Sequence, residues 1–388
     1  MANEIVSANG PSAPGRRHAI KRGAALAAGF VTTASGLGLA MAEENGSDER
    51  PAGNSLKYKG INYDVGTNYF PGHLSRQIWN RDAVRNEIRV IREELYCNSI
   101  GIFGTSIERL VECAELALQV GLQVWLQPRL MESTQQGMLL YLANAARAAE
   151  KLRRKNGNVT LNVGCELSLF LQGFVPGGTF MERMEALGAS WQDILPGMNK
   201  ALNAHLEKAC AVVRANFKGA VTYGAGEWEM VEWSMFNIVG INYYRSAENR
   251  RSYIERLKEL RSLGKPVVIT EFGCCTYEGA EERGGSGYDI IDYGKEPPQL
   301  NGSYVRSEKV QADEILALLE MYEQEKIEGA FVYQFLSEFD VYSPDPHHDL
   351  DLASHAIVKV ISREPGSETI GWEPKEAFHA LARFYAKS

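Results

Sequence analysis

The sequence predicts a single (β/α)8 barrel, and three observations carry that prediction. From Tyr58 onward, short β-branched runs alternate with longer segments of helical periodicity, the pattern of a parallel sheet covered by helices. The alternation repeats eight times within residues 58–388, the number a closed barrel needs. The first strand ends in Asn62-Tyr63-Asp64, with neither a G-x-G-x-x-G nor a G-x-x-x-x-G-K turn behind it. A doubly wound nucleotide-binding sheet is therefore disfavoured.

The elements follow in order. Strand one is Lys59–Tyr63, and its helix starts near Asp82 with Val84, Ile88, Ile91 and Leu95 at helical spacing. Strand two is Ser99–Phe103; Thr105 and Glu108 read as a capping box for the next helix, which Gly121 stops. Strand three is Leu122–Leu126, followed by an Ala/Leu helix over residues 137–155. Strand four, Val159–Cys165, runs into Glu166, and a helix ending near Phe217 leads to strand five, Ala220–Tyr223. Strand six is Ile238–Tyr244, with a basic helix over 252–263 closed by Gly264. Strand seven, Pro266–Thr270, runs into Glu271; a polar loop over 276–306 precedes a helix over 307–324. Strand eight is Gly329–Phe335, and a helix from Pro374 carries the apolar stripe Phe378, Leu381, Ala382 and Tyr385.

Composition fits a folded, acidic body. The chain of 388 residues is 45% hydrophobic and 23% charged, with 49 acids against 41 bases and a net charge of −8. Disorder, collagen and coiled coil are excluded, and without a dominant basic patch nucleic acid is a poor partner. The six cysteines match neither a zinc spacing nor a dense disulfide framework, so buried free thiols are expected.

Residues 1–42 differ from the rest. Arg16-Arg17 precedes a weakly apolar run ending in Ala40-Met41-Ala42, the layout of a cleavable export signal of the twin-arginine type. A flexible linker over 43–57 then joins it to the barrel. Export to the periplasm, the cell envelope or the medium is the expectation, with no stable membrane insertion once the signal is cut. A retained anchor and a cytoplasmic tail are the alternatives.

Barrel chemistry sits where strands end. Those positions here hold Asn62, Asp64, Gln127, Arg129, Glu132, Glu166, Glu227, Trp228, Glu229, Asn242, Tyr244, Arg245, Glu271, Gln334, Glu338 and Asp340. The rim is rich in carboxylates, amides and aromatics. Glycoside hydrolysis needs one carboxyl as proton donor and another to attack or stabilise the anomeric centre. Glu166 and Glu271 end strands that lie across the mouth from one another. Strand alternation puts Ile269 with Glu271, and Asn162 and Gly164 with Glu166.

These residues carry a resemblance. Thr270-Glu271-Phe272-Gly273 resembles the nucleophile motif of the clan A glycoside hydrolases, retaining (β/α)8 enzymes whose acid/base Glu ends strand four and whose nucleophile ends strand seven. Gly240-Ile241-Asn242-Tyr243-Tyr244 is similar to their strand-six segment, whose second Tyr contacts the nucleophile. The resemblance implies Glu271 as nucleophile, Glu166 as acid/base and Tyr244 as nucleophile partner, with the carboxyls about 5–5.5 Å apart and no cofactor. Asn62, Asp64, Arg129, Glu227, Trp228, Asn242, Gln334 and His348 are the expected substrate-binding residues, for an oligosaccharide or glycoside. Two positions depart from the clan: Cys165 stands where Asn usually precedes the acid/base, and Tyr333 or Phe335 replaces the expected strand-eight Trp. The string Thr270–Ala280 also resembles bacterial proteins labelled abortive infection proteins.

Other readings stay open on sequence alone. The alternative for Glu271 is a structural acid paired with Arg245 or Arg129. The barrel as a whole reads as a catalytically weak carbohydrate-binding or phage-defence protein. The loop Asp345–Asp351, with five metal-capable side chains, suggests a metal-assisted hydrolase, although a hydrogen-bonded lid is the more ordinary role.

Overall fold

A computed structural model of the protein describes residues 56–69, 72–362 and 369–387. The expected export signal and nearly all of the linker lie outside them. Eight parallel strands form the barrel: β1 (Tyr58–Asp64), β2 (Ser99–Gly104), β3 (Gln123–Pro128), β4 (Val159–Cys165), β5 (Ala220–Gly224), β6 (Val239–Asn242), β7 (Val267–Phe272) and β8 (Gly329–Val332). Their order around the sheet is β5-β4-β3-β2-β1-β8-β7-β6. The seam between β5 and β6 closes through a parallel bridge of Ala225 with Ile241. Ala225 N–H donates to the Gly240 carbonyl at 3.1 Å, and Asn242 N–H to the Ala225 carbonyl at 2.8 Å. A side chain at Gly240 would meet the Tyr223 carbonyl at 2.3 Å, so the seam requires glycine there.

The principal helices are α1 (Arg81–Glu93), α2 (Ile107–Gln119), α3 (Gln135–Asn156), α4 (Phe180–Asn216), α5 (Tyr253–Ser262), α6 (Glu308–Gln324) and α7 (Glu376–Lys387). Each turns an apolar stripe toward the outer face of the strands, as Val84, Ile88 and Ile91 do on α1. Among the described residues no helix is long and apolar enough to cross a membrane. The capping box is corrected: Ser106, not Thr105, caps α2 and accepts from Arg109 N–H. Thr105 is drawn away because its hydroxyl joins Asn68 to the Arg129 carbonyl. The antiparallel hairpin of Val358–Ser362 with Gly371–Pro374 had no counterpart in the sequence reading; it seats Trp372 on Phe335.

The barrel interior is layered. Tyr58, Trp125 and Phe331 fill the lower part, with ring centroids 5.0 and 5.1 Å apart. Gly60 makes room for Phe331, since a Cβ there would stand 2.3 Å from its ring, and Gly101 makes room for Asn62, whose Oδ1 would be 2.2 Å from a Cβ. Above lies an amide layer in which Asn62 donates to the Thr270 carbonyl at 2.9 Å and Asn162 accepts from Gly164 and Gly224 N–H groups. All six cysteines are buried and free, as expected.

Candidate active site

The mouth of the barrel is organised around Glu271 and Glu166. Strict alternation on β7 would alternate Val268, Ile269, Thr270 and Glu271 between two faces. The strand instead shifts register against β6 and β8 near Thr270, so Val268, Thr270 and Glu271 serve the interior while Ile269 and Phe272 pack outward. A second shift, between Asn162 and Cys165 on β4, brings both Cys165 and Glu166 to the mouth. The expected sharing of a face by Ile269 with Glu271 is thus corrected, since a bulge turns Ile269 outward; Asn162 and Glu166 do both serve the interior, and the bulge on β4 adds Cys165 to them. Glu166 itself has left-handed backbone, φ 45° and ψ 43°. It is held there by its N–H on the Gly224 carbonyl at 3.0 Å and by the Leu167 N–H on the Tyr223 hydroxyl at 2.8 Å. Such backbone costs of order 1–3 kcal/mol and collects at functional sites.

Glu271 is 7% exposed and bonds through one oxygen. Its Oε1 accepts from Arg129 Nη2 at 2.5 Å and from the Cys165 thiol at 3.4 Å, while Oε2 has no hydrogen-bond donor among the described residues. Arg129 is fixed by Tyr69, at 2.7 Å from its Nη1, by Gln127, and by the Phe103 ring 4.2 Å below its guanidinium. Of the two structural pairings considered for Glu271, the one with Arg129 is present. Arg245 turns away from the mouth and pairs with Glu314 of α6.

Asn242 links the carboxylates. The Thr270 hydroxyl donates to its Oδ1 at 2.8 Å, which leaves Nδ2 to donate to Glu166 Oε1 at 3.0 Å and to Cys165 Sγ at 3.1 Å. Burial, then the negative charge of Glu271, raises the Glu166 carboxyl to a pKa of about 8, against the opposing pull of the Asn242 hydrogen bond. A carboxylic acid that keeps its proton at neutral pH thus stands beside a carboxylate neutralised by a guanidinium. Glu166 can donate a proton, and Glu271 Oε2 can offer an electron pair.

Tyr244 lies just past the end of β6 beside both carboxylates, whose charges, after burial, raise its phenol well above the usual value. No hydrogen bond joins its hydroxyl to either carboxylate among the described residues. Its ring instead meets His355 edge-on, with centroids 5.5 Å apart. Burial pushes that histidine down to about 4, so it is neutral. Tyr333, not Phe335, supplies the aromatic of β8 at the mouth, stacked on Phe103; Phe335 is core.

The remaining expected ligands divide. Asn62 lies in the amide layer beneath the mouth, and Asp64 ties down the following loop through Ser75 and the Gly66 N–H. Both carry structural bonds that a substrate contact would have to share. Trp228 is half-buried with its Nε1 on Ser168, and exposed Glu227 accepts from Asn249. Glu229, Glu132 and Glu338 are structural: they hold respectively Tyr223 with Ser168, Arg183, and the backbone of Gln77 and Ile78. Gln334 is buried with its side-chain Oε1 unpartnered, while its carbonyl accepts from Ile357. His348 is half-buried and, among the described residues, its side chain bonds locally to Asp345, 2.9 Å away. In the same loop, Asp349 and Asp351 are occupied by Arg306, and Lys375 stands 2.9 Å from Asp351. Among the described residues no cluster of three metal-capable side chains exists, and this loop is an ion-paired brace. Tyr69 and Phe103, which hold Arg129, sit on a loop and a strand without a motif to mark them.

No family model matches the chain, and no curated protein matches it. Solved structures do. A GH113 β-1,4-mannanase aligns over 86% of this chain and 100% of its own, with a TM-score of 0.56 and 14% identity. The GH113 β-mannanase AaManA from Alicyclobacillus acidocaldarius aligns over 86% and 98%, with a TM-score of 0.57 and 16% identity. The Bacteroides uniformis β-glucuronidase 2, covalently bound to a cyclophellitol-6-carboxylate aziridine, aligns over 86% of this chain and 35% of its own, with a TM-score of 0.52 and 14% identity. The resemblance to abortive infection proteins finds no counterpart among these three. With eight parallel strands in sequential order, the protein has a (β/α)8 barrel, similar in fold to these glycoside hydrolases.

Proposed function

We propose that this protein is a retaining glycoside hydrolase with Glu271 as nucleophile and Glu166 as acid/base. The single observation that carries the reading is the contrast between the two carboxyls: Glu166 is held protonated to about pH 8, while Glu271 is paired with Arg129. Glu271 Oε2 attacks the anomeric carbon as the glycosidic C–O bond breaks. The leaving oxygen keeps the bonding electrons and takes the proton of Glu166. Water then attacks the anomeric carbon, passes a proton to the Glu166 carboxylate, and displaces Glu271.

Arg129 and Cys165 fix the nucleophile through Oε1 and leave Oε2 to react. Asn242 orients the acid and, through Cys165, couples its position to that of Glu271. The solved neighbours named as β-mannanases and a β-glucuronidase support β-linked glycosides as the substrate class. The export signal read over residues 1–42 directs the enzyme to substrates outside the cytoplasm.

The test is incubation with a panel of 2-fluoro-glycosides followed by intact mass. A stoichiometric adduct mapping to Glu271 is expected, together with loss of turnover in Glu271→Gln. Wild-type turnover in Glu271→Gln would overturn the mechanism. Glycan binding with no turnover would favour the carbohydrate-binding protein.

A further inference from the structure

The segment between β7 and α6 folds over the mouth. Its turn Gly284–Tyr288 lies on the site: a Cβ at Gly285 would stand 3.3 Å from the Tyr244 ring, and one at Gly284 3.0 Å from the Arg245 carbonyl. Gly284 has φ +54°, so backbone conformation and proximity both favour glycine. After the turn, Ile291–Asp292 pairs with Gln299–Leu300, and Leu300 N–H donates to the His347 carbonyl at 2.8 Å. The overhang is therefore braced by the loop that follows β8.

Two large aromatic residues stay open to water on this braced overhang, Tyr288 at 46% and Tyr293 at 41% exposure. Tyr288 lies within the electrostatic reach of Glu166, Tyr69 and Asp289; Tyr293 lies within that of Tyr288 and Asp340. The two rings lead outward from the acid/base. Aromatic faces beside a catalytic mouth offer flat apolar surface to the C–H faces of pyranose rings, while the phenols reach for hydroxyls.

The charges of the rim select further. Asp289 and Asp340 carry the carboxyls beside the two rings; burial raises both, Asp340 to about 6, which leaves Asp340 ionised at neutral pH. Arg129 is committed to Glu271, Arg245 to Glu314, and Arg283 donates to the Asp289 carbonyl at 3.4 Å. Lys295 is the exposed cation of the ribbon, but the carboxyls beside the rings outnumber it; a sugar carboxylate laid along Tyr288 and Tyr293 meets net negative charge, and these guanidiniums are already engaged.

We infer that Tyr288 and Tyr293 form an aromatic track that holds a neutral, extended oligosaccharide beyond the cleaved bond, and that the acidic rim excludes chains of uronic acids. This rests on the glycoside hydrolase reading and deepens it by naming the substrate class.

The experiment is calorimetric titration of the full-length Glu271→Gln protein with mannohexaose, cellohexaose and hexagalacturonate. At least one neutral hexamer is expected to bind, with hexagalacturonate at least tenfold weaker. Tyr288→Ala and Tyr293→Ala, at exposed positions that leave the core intact, are each expected to weaken neutral binding roughly five- to tenfold. Lys295→Ala, which removes the exposed cation of the same ribbon, should leave it unchanged. No binding of either neutral hexamer, binding indifferent to both tyrosines, or equal binding of hexagalacturonate would each overturn the inference. Tyrosine-dependent binding of a hexamer that the wild-type protein does not cleave would instead sink the hydrolase reading and leave the track standing.

Discussion

Asn242→Leu tests the central electrostatic argument. The substitution keeps the branching and heavy-atom count of the side chain and removes the one amide that donates to Glu166 Oε1 at 3.0 Å. Hydrogen bonds to charged groups contribute about 1.5–3 kcal/mol. At 1.36 kcal/mol per pH unit, losing this one raises the Glu166 pKa by roughly one to two units. In the mechanism above, kcat/KM requires protonated Glu166, so its alkaline limb lies near pH 8 in the wild type. In Asn242→Leu that limb should move to roughly pH 9–10. The Thr270 hydroxyl, which donates to Asn242 Oδ1, also loses its partner, so the variant should unfold at lower urea, by about 1–3 kcal/mol. The assay is the pH dependence of kcat/KM on an activated aryl glycoside, with urea unfolding alongside. An alkaline limb that stays put, or moves toward acid, would refute the assignment of Glu166 as the acid held by Asn242.

Two further outcomes follow from the same geometry. Arg129→Met leaves the buried Glu271 without its guanidinium and should cost about 3–5 kcal/mol in urea unfolding, with Arg129→Lys recovering part of it; an unchanged midpoint would show that Glu271 does not depend on the pair. Glu166, with a folded pKa of about 8 against an ordinary value of 4.5, binds its proton more tightly in the folded chain. Its contribution to stability is therefore fully present below about pH 4.5 and declines as pH rises toward 8. Thermal scans from pH 5 to 8 should accordingly show Glu166→Gln losing less stability than the wild type, and parallel curves would contradict the raised pKa.

The barrel was legible because its signal is local and repeated. Each helix declares itself through apolar spacing, as Leu110, Ala114 and Leu118 do on α2, and each buried strand through a β-branched run. Strand-end position and a short motif marked Glu166 and Glu271 as candidates. The ends of elements were less legible. Whether Thr105 or Ser106 caps α2 depends on Asn68 and Arg129, neither of which is local to that helix. The hairpin after β8 was missed for the same reason: Trp372 is explained by Phe335, 37 residues away in sequence and 5.4 Å away in space.

The number and order of β/α units, and the presence of a carboxylate at the ends of β4 and β7, can be read along the chain. These depend on periodicity and position, which one chain segment carries alone. How the carboxylates are aimed and how they differ depends on contacts between distant segments. The bulges that aim them arise from register between neighbouring strands. Their contrast arises from Arg129 on the segment after β3, Asn242 on β6 and Cys165 on β4, meeting at one point. Protonation follows from burial and from charges a few ångströms away, and those distances exist only once the barrel has closed.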